Sequence, residues 1–154
     1  MPRLTLTVVD LDLAQQLCQA ARTEAGAAGA QVSVAVVDAG GHLVAFQRMD
    51  GAEIAGPVLA RDKAYTAVAH RASTADLQAE VGERGGLTGL SAADGGRYVC
   101  FPGGLPLWSS GRVAGGVGVS GGTPDQDGAA AAAALEVWAR HEQALPPAQE
   151  AQGR

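Results

Sequence analysis

Residues 102–122, PGGLPLWSSGRVAGGVGVSGG, read as a short apolar strand, a tight Ser-Ser-Gly turn at 109–111, a second strand, and a glycine loop that opens into an alanine-rich helix. The second strand carries Gly115, Gly116 and Gly118 in its interior. Glycine weakens a strand unless another backbone or a ligand approaches closely, so the face of this strand is where such an approach is expected.

Upstream, QVSVAVVD (31–38) and HLVAFQ (42–47) have the same valine-rich character and flank the turn Asp38-Ala39-Gly40-Gly41. They predict an antiparallel hairpin in which Gly40 and Gly41 supply positive φ without a Cβ penalty. Asp10 suits the N-cap of a first helix, along which Ala14, Cys18, Ala21, Ala25 and Ala28 recur at helical spacing until Gly26 or Gly29 ends it. Pro57 suits the first turn of a helix over about 58–71, in which Leu59, Lys63, Thr66 and His70 share a polar face flanking the apolar Ala60, Ala64, Ala67 and Val68. Ser73 to Asp76 fit the cap of a short helix ending near Gly82, the glycine-rich stretch to Gly96 reads as loop, and Tyr98 to Phe101 read as a further strand. A last helix covers about 125–143, where Ala129 to Ala134 favour it strongly; Pro146 and Pro147 follow, and 144–154 read as a disordered tail.

Neighbouring strands are joined by hairpins rather than crossovers. The expected fold class is therefore α/β in the α+β sense: one domain over 1–143 with an antiparallel sheet of about five strands and helices packed on it. A chain of 154 residues, 47% hydrophobic, with 22 glycines and only 4% aromatic residues builds such a core from Ala, Val and Leu. Small-residue faces of this kind also suit burial against another subunit.

The formal net charge of −5, without a basic cluster, opposes a nucleic-acid partner. No apolar run approaches the roughly 20 residues needed to cross a bilayer, and the first residues lack the pattern of an export signal, so no membrane partner and a cytoplasmic location are expected. Cys18 and Cys100 are then free thiols.

Among candidate chemistries, Gly116, Gly118 and Gly121 spell G-x-G-x-x-G, but no further strand follows to complete a dinucleotide-binding βαβ unit. A smaller anion, such as a carboxylate or propionate on the N–H groups of Ser120, Gly121 and Gly122, is the reading that survives. Lys63, beside a buried stripe, suits carboxylate binding, acid–base work or simple pairing with a neighbouring acid. Arg48 and Asp50 flank a turn and suit an architectural salt bridge. His42, His70 and His141 lack metal-site spacing; of the three, His70 is the best placed for haem because it shares the Lys63 face. Cys100 reads as a buried structural thiol.

Four segments, VAVVDAGGHLVAFQRMDGA (34–52), ARDKAYTA (60–67), FPGGLPLW (101–108) and GGVGVSGGTPDQD (115–127), resemble in order the GlcG/HbpS-like family of haem-binding or haem-degrading-like domains, related to the C-terminal domain of PduO-type corrinoid proteins. The resemblance implies a profilin-like sandwich that assembles into homo-oligomers, dimers or larger rings. It implies a small acidic ligand, haem or another tetrapyrrole, with a corrinoid as the other cofactor class. The positions that match the family's motifs are Asp38, Arg48, Asp50, Lys63, Thr66, Gly103, Gly104, Pro106, Ser120 and Gly121, expected to converge on one cleft. The alternative is a cofactor-independent enzyme on a small carbonyl or carboxylate metabolite in a catabolic or biosynthetic pathway, with Lys63 and Asp38 as acid and base and the Ser120 and Gly121 N–H groups stabilising negative charge.

Overall fold

The computed structural model describes residues 4–146. Its order is helix α1 (Leu11–Ala27), strands β1 (Ser33–Asp38) and β2 (Leu43–Arg48), helices α2 (Gly56–His70) and α3 (Thr74–Val81), strands β3 (Gly104–Ser109) and β4 (Arg112–Ser120), and helix α4 (Pro124–Ala144). Two short 3-10 turns, Leu90–Ala92 and Asp94–Gly96, interrupt the loop before β3. The strands form one antiparallel sheet in the order β2-β1-β4-β3.

The sheet therefore has four strands among the described residues, not about five. Tyr98 to Phe101 form no strand, because the Val99 N–H is taken by the Thr66 hydroxyl of α2 at 3.0 Å rather than by a neighbouring strand. The described part of the expected tail begins inside α4, which runs to Ala144; residues 147–154 lie outside the described residues.

Both faces of the sheet are covered. On one, α1 and α4 pack against each other and against the strands. Leu13, Ala14, Leu17, Cys18, Ala21, Ala130, Ala131, Ala134 and Trp138 join Val32, Val34, Val36, Val117 and Val119 in a single buried cluster. The Asp10 carboxylate caps α1 by accepting from the Leu13 N–H at 2.8 Å, and a reciprocal Thr123–Gln126 capping box starts α4. Trp138 is anchored across the layers by donating its indole N–H to the Trp108 carbonyl at 2.8 Å.

On the other face lies α2, and here the glycines of β4 find their reason. A Cβ at Gly118 would lie 2.0 Å from the Ala60 carbonyl oxygen, and one at Gly116 2.7 Å from that of Ala64. The close approach expected on this strand is made by a helix backbone. Alanines at 60, 64 and 67, all fully buried, complete the contact from the helix side. The polar residues of α2 depart from expectation: Lys63 and Thr66 are fully buried instead of flanking the stripe. Among the described residues no helix is long and apolar enough to cross a membrane, and both cysteines are free and buried.

Candidate functional site

Register divides the sheet into two ends. Ser33 of β1 stands opposite Ser120 of β4 at one end, and Asp38 stands opposite Gly115 at the other. Of the ten sequence-selected positions most lie toward the first end without sharing one cleft, and Asp38 lies at the second.

Lys63 belongs to the Ser33–Ser120 end. Its ammonium donates to the Val119 carbonyl at 2.9 Å and to Asp127 Oδ2 at 2.8 Å, and it lies 4.8 Å from the centre of the Phe101 ring. Burial lowers the Lys63 pKa below the ordinary lysine value; the hydrogen bond and charge of Asp127 counter part of that loss, and Glu53 adds to the counterweight. The other Asp127 oxygen accepts from the Gly122 N–H at 2.8 Å. An acid of the chain itself thus sits where an anionic ligand was expected on the glycine loop, and the Thr123 N–H is likewise taken by Gln126 Oε1 at 2.9 Å.

Gly103 and Gly104 do meet Lys63, as packing partners. A Cβ at Gly103 would lie 2.4 Å from the Val119 carbonyl and 2.9 Å from the ammonium, and one at Gly104 2.5 Å from the Lys63 carbonyl. Ser120 is buried beside them, and Pro106 is buried in β3 opposite Gly116. The Thr66 hydroxyl donates to the Asp62 carbonyl at 2.6 Å and accepts from Val99. These contacts hold α2, β3, β4 and α4 together.

Arg48, Asp50 and Gly121 lie at the same end but outside this node. Arg48 and Asp50 line a shallow depression of about 500 Å³ with Gln19, Arg22 and Gln31. Gly121 lines a neighbouring one of about 470 Å³ with Glu53 and Gln126, and Gln31 is common to both. Among the described residues the Arg48–Asp50 salt bridge does not form; the ion pairs are Lys63–Asp127 and Arg97–Asp62, and the His42 ring lies 3.2 Å from the Asp38 carboxylate.

Asp38 is at the opposite end. Its carboxylate braces the β1–β2 turn, accepting from the Gly40 N–H at 2.8 Å and the His42 N–H at 3.0 Å. Only Gly41 of the glycine pair takes positive φ, at 81°. Val119 is four residue steps along the strand from Asp38's partner Gly115, roughly 13 Å at the usual rise. Lys63 and Asp38 therefore do not face one reacting atom, which acid–base chemistry through that pair requires.

The turn that Asp38 braces forms one wall of the largest hollow described, of about 720 Å³. The opposite walls are the β3–β4 turn, the C-terminal turns of α2 and the segment before α1. Leu4, Leu6, Val68, Val113 and Trp108 give it apolar sides, while Arg71 and Arg112 place two exposed cations on it. Tyr65 forms part of the wall. Its ring packs so closely on Gly41 that a Cβ there would lie 2.7 Å away. Its hydroxyl donates to Asp94 Oδ2 at 2.8 Å, and the Arg97 guanidinium lies 3.5 Å from the ring centre. The Asp94 hydrogen bond pushes the Tyr65 phenol pKa up, desolvation and the Asp94 charge add to this, and Arg97 opposes it.

From the sequence, Val68 and Gly111 read only as helix face and turn, and Tyr65, Arg71, Trp108 and Arg112 carry no ligand role. A signal was present: Tyr65, Val68 and Ala69 stand at helical spacings of three and four on one face of α2, adjacent to the Lys63 face. Arg71 ends that helix in the left-handed region, at φ 52°. His70 does not line the hollow; its ring packs edge-on against Tyr98 with centroids 4.5 Å apart.

The hollow combines apolar and polar walls with two exposed cations, in a volume within the usual range for ligand sites. Comparison with known proteins shows relatives over most of the chain. A family model described as haem degrading protein HbpS-like matches residues 9–136. An uncharacterized 15.0 kDa protein in the dhaT-dhaS intergenic region of Citrobacter freundii is 37% identical over 133 residues, covering 86% of this chain and 94% of its own. The corrinoid adenosyltransferase PduO of the same organism is 36% identical over 126 residues, which is 82% of this chain and 37% of PduO. The crystal structure of a PduOC:heme complex superposes with a TM-score of 0.82 at 35% identity, covering 85% of this chain and 95% of that one.

Proposed function

The chain belongs to the HbpS-like family, and from that premise we propose that it binds haem in the hollow between its two hairpin turns. The observation that carries the reading is the hollow itself, whose apolar walls suit a porphyrin face and whose Arg71 and Arg112 suit its two carboxylates. The likeness to a protein crystallised with haem supports the ligand class. When bound, haem supplies an iron centre; the chain supplies shape, exclusion of water and counter-charge. The corrinoid alternative rests on the name of PduO, of which this chain spans little more than a third.

Six of the ten selected residues hold the fold in this reading: Lys63, Gly103, Gly104, Ser120 and Thr66 through the buried node, and Asp38 through the turn that shapes the hollow. Self-association of the chain is part of the same proposal, supported by the exposed Leu43 and Phe46 on edge strand β2 and the exposed Ile54 and Val58 around the start of α2. Sedimentation of the purified chain as a monomer at all concentrations would overturn that part.

Haemin titration tests the site. Trp108 lines the hollow, so its emission is expected to be quenched as the Soret band shifts. Arg71→Ala with Arg112→Ala is expected to weaken binding at least about tenfold, two charge-assisted contacts being lost. Because both arginines are exposed, unfolding free energy should change by no more than about 0.5 kcal/mol. Binding that is unaffected by the double substitution and leaves Trp108 emission unchanged would remove the hollow as the site.

A further inference from the structure

The hollow offers a ligand an indole face and two open cations. The two tryptophans of the chain are used in opposite ways: Trp138 is 3% exposed in the core, whereas Trp108 is 43% exposed and lines the hollow. The backbone that carries Trp108 is nonetheless fixed. Its neighbours Leu107 and Ser109 are buried, its strand partner is Val113, and its carbonyl accepts the Trp138 indole N–H at 2.8 Å. A half-exposed indole on a strand held in this way is a stacking platform, since a flat ring laid on it buries apolar area without first ordering a mobile segment. Arg71 and Arg112 are exposed on the same hollow and take part in none of the ion pairs among the described residues, so their guanidinium forks are open to carboxylates.

A donor to iron is what these walls do not present. The described side chains on the hollow are Leu, Ala, Val, Trp, Arg and one Tyr, and the Tyr65 hydroxyl is engaged by Asp94 at 2.8 Å. His42 follows the first turn, but its ring is drawn to Asp38 at 3.2 Å. We propose that the hollow takes planar tetrapyrrole dicarboxylates as a class, with or without a metal, and that Trp108 selects them by stacking on the macrocycle while Arg71 and Arg112 take the carboxylates. The inference rests on the haem reading above and widens it. Iron travels with the ring and is not what the chain recognises; flatness and paired carboxylates are.

The test uses the full chain with ferric haem, followed at the Soret band, and metal-free protoporphyrin, followed by its own fluorescence. We expect the two to bind the parent within about threefold of each other, since both present the same ring and carboxylates. Trp108→Leu keeps an apolar strand residue and removes the ring face; it should weaken both probes alike, by at least about tenfold. Trp108→Phe returns a ring and should recover most of that loss. The Trp138 bond is made to the backbone of residue 108, so both variants retain it, and the ranking of Trp, Phe and Leu reads the ring face apart from any change in stability. Ferric haem bound about tenfold or more tightly than metal-free protoporphyrin overturns the inference and leaves the haem reading standing, because a donor then reads the metal. Equal binding by the parent, Trp108→Phe and Trp108→Leu overturns the selecting role of Trp108. Failure of the parent to bind either probe overturns this inference and the haem reading together.

Discussion

At the Ser33–Ser120 end of the sheet a cation, Lys63, is wholly buried and has an acid and a carbonyl as its partners; at the Asp38–Gly115 end two cations, Arg71 and Arg112, stand exposed around a hollow. Glycine turns build both ends. At the first they let backbone approach backbone until no space remains, and at the second they reverse the hairpins and leave space between them. Charge by itself therefore does not mark a ligand site. What distinguishes the two ends is whether the cation's hydrogen bonds are already satisfied by the chain.

The sharpest way to break this contrast is to unpair the closed end. Asp127→Ala strands a buried ammonium, and chemical denaturation should show a loss of about 3–5 kcal/mol. The double substitution Lys63→Met with Asp127→Leu should recover most of it, since an apolar pair needs no desolvation. Equal losses in the single and double variants would show that the charge is not what the node depends on. Next in size is a pair of glycine substitutions. Gly118→Ala drives a methyl group into the α2 backbone and should cost about 3 kcal/mol or more, whereas Gly111→Ala meets nothing within 4 Å and should cost only about 1 kcal/mol for its φ of 74°. Comparable losses at the two positions would mean that the ends are equally packed.

The smallest effect expected is in pH dependence. Folding lowers the Lys63 pKa, so between the folded value and the ordinary 10.5 the unfolded chain binds a proton that the folded chain lacks. The Lys63 contribution to stability then rises with pH through that window. Cys18 works in the opposite sense: burial pushes its thiol from 9.0 up to about 12, so stability falls as pH climbs past 9.0. Cys18 is common to the parent and Lys63→Met, and the difference between their denaturation midpoints isolates Lys63. That difference should shift in favour of the parent as alkaline pH increases, and a shift in the other direction would mean that pairing outweighs burial.

Much of the fold was legible because it is written in local pattern. Asp10, Pro57 and Ser73 stand at or within a turn of helix starts, the alanine run marks the last helix, valine runs mark β1 and β4, and the turns at Gly41 and Ser110-Gly111 carry the residues that hairpin reversals require. Tyr98 to Phe101 misled because an extended apolar segment looks the same whether its N–H groups meet a strand or the Thr66 hydroxyl. The candidate site was less legible for the same kind of reason. Lys63 was picked out by charge on a helix, but its partner Asp127 is 64 residues away, and nothing local in the sequence says that the two meet in the interior.

Residue order by itself determined the element types, the hairpin connections, the small-residue core and the family, since each depends on side chains within a turn or two of one another or on motifs kept in sequence. Only the tertiary structure decided that Lys63 is sealed while Arg71 and Arg112 are open, and that Tyr65, Trp108 and the Asp38 turn line one hollow. Those facts depend on which backbones pack closely enough to exclude water, and that distance is set by contacts between segments far apart in the chain.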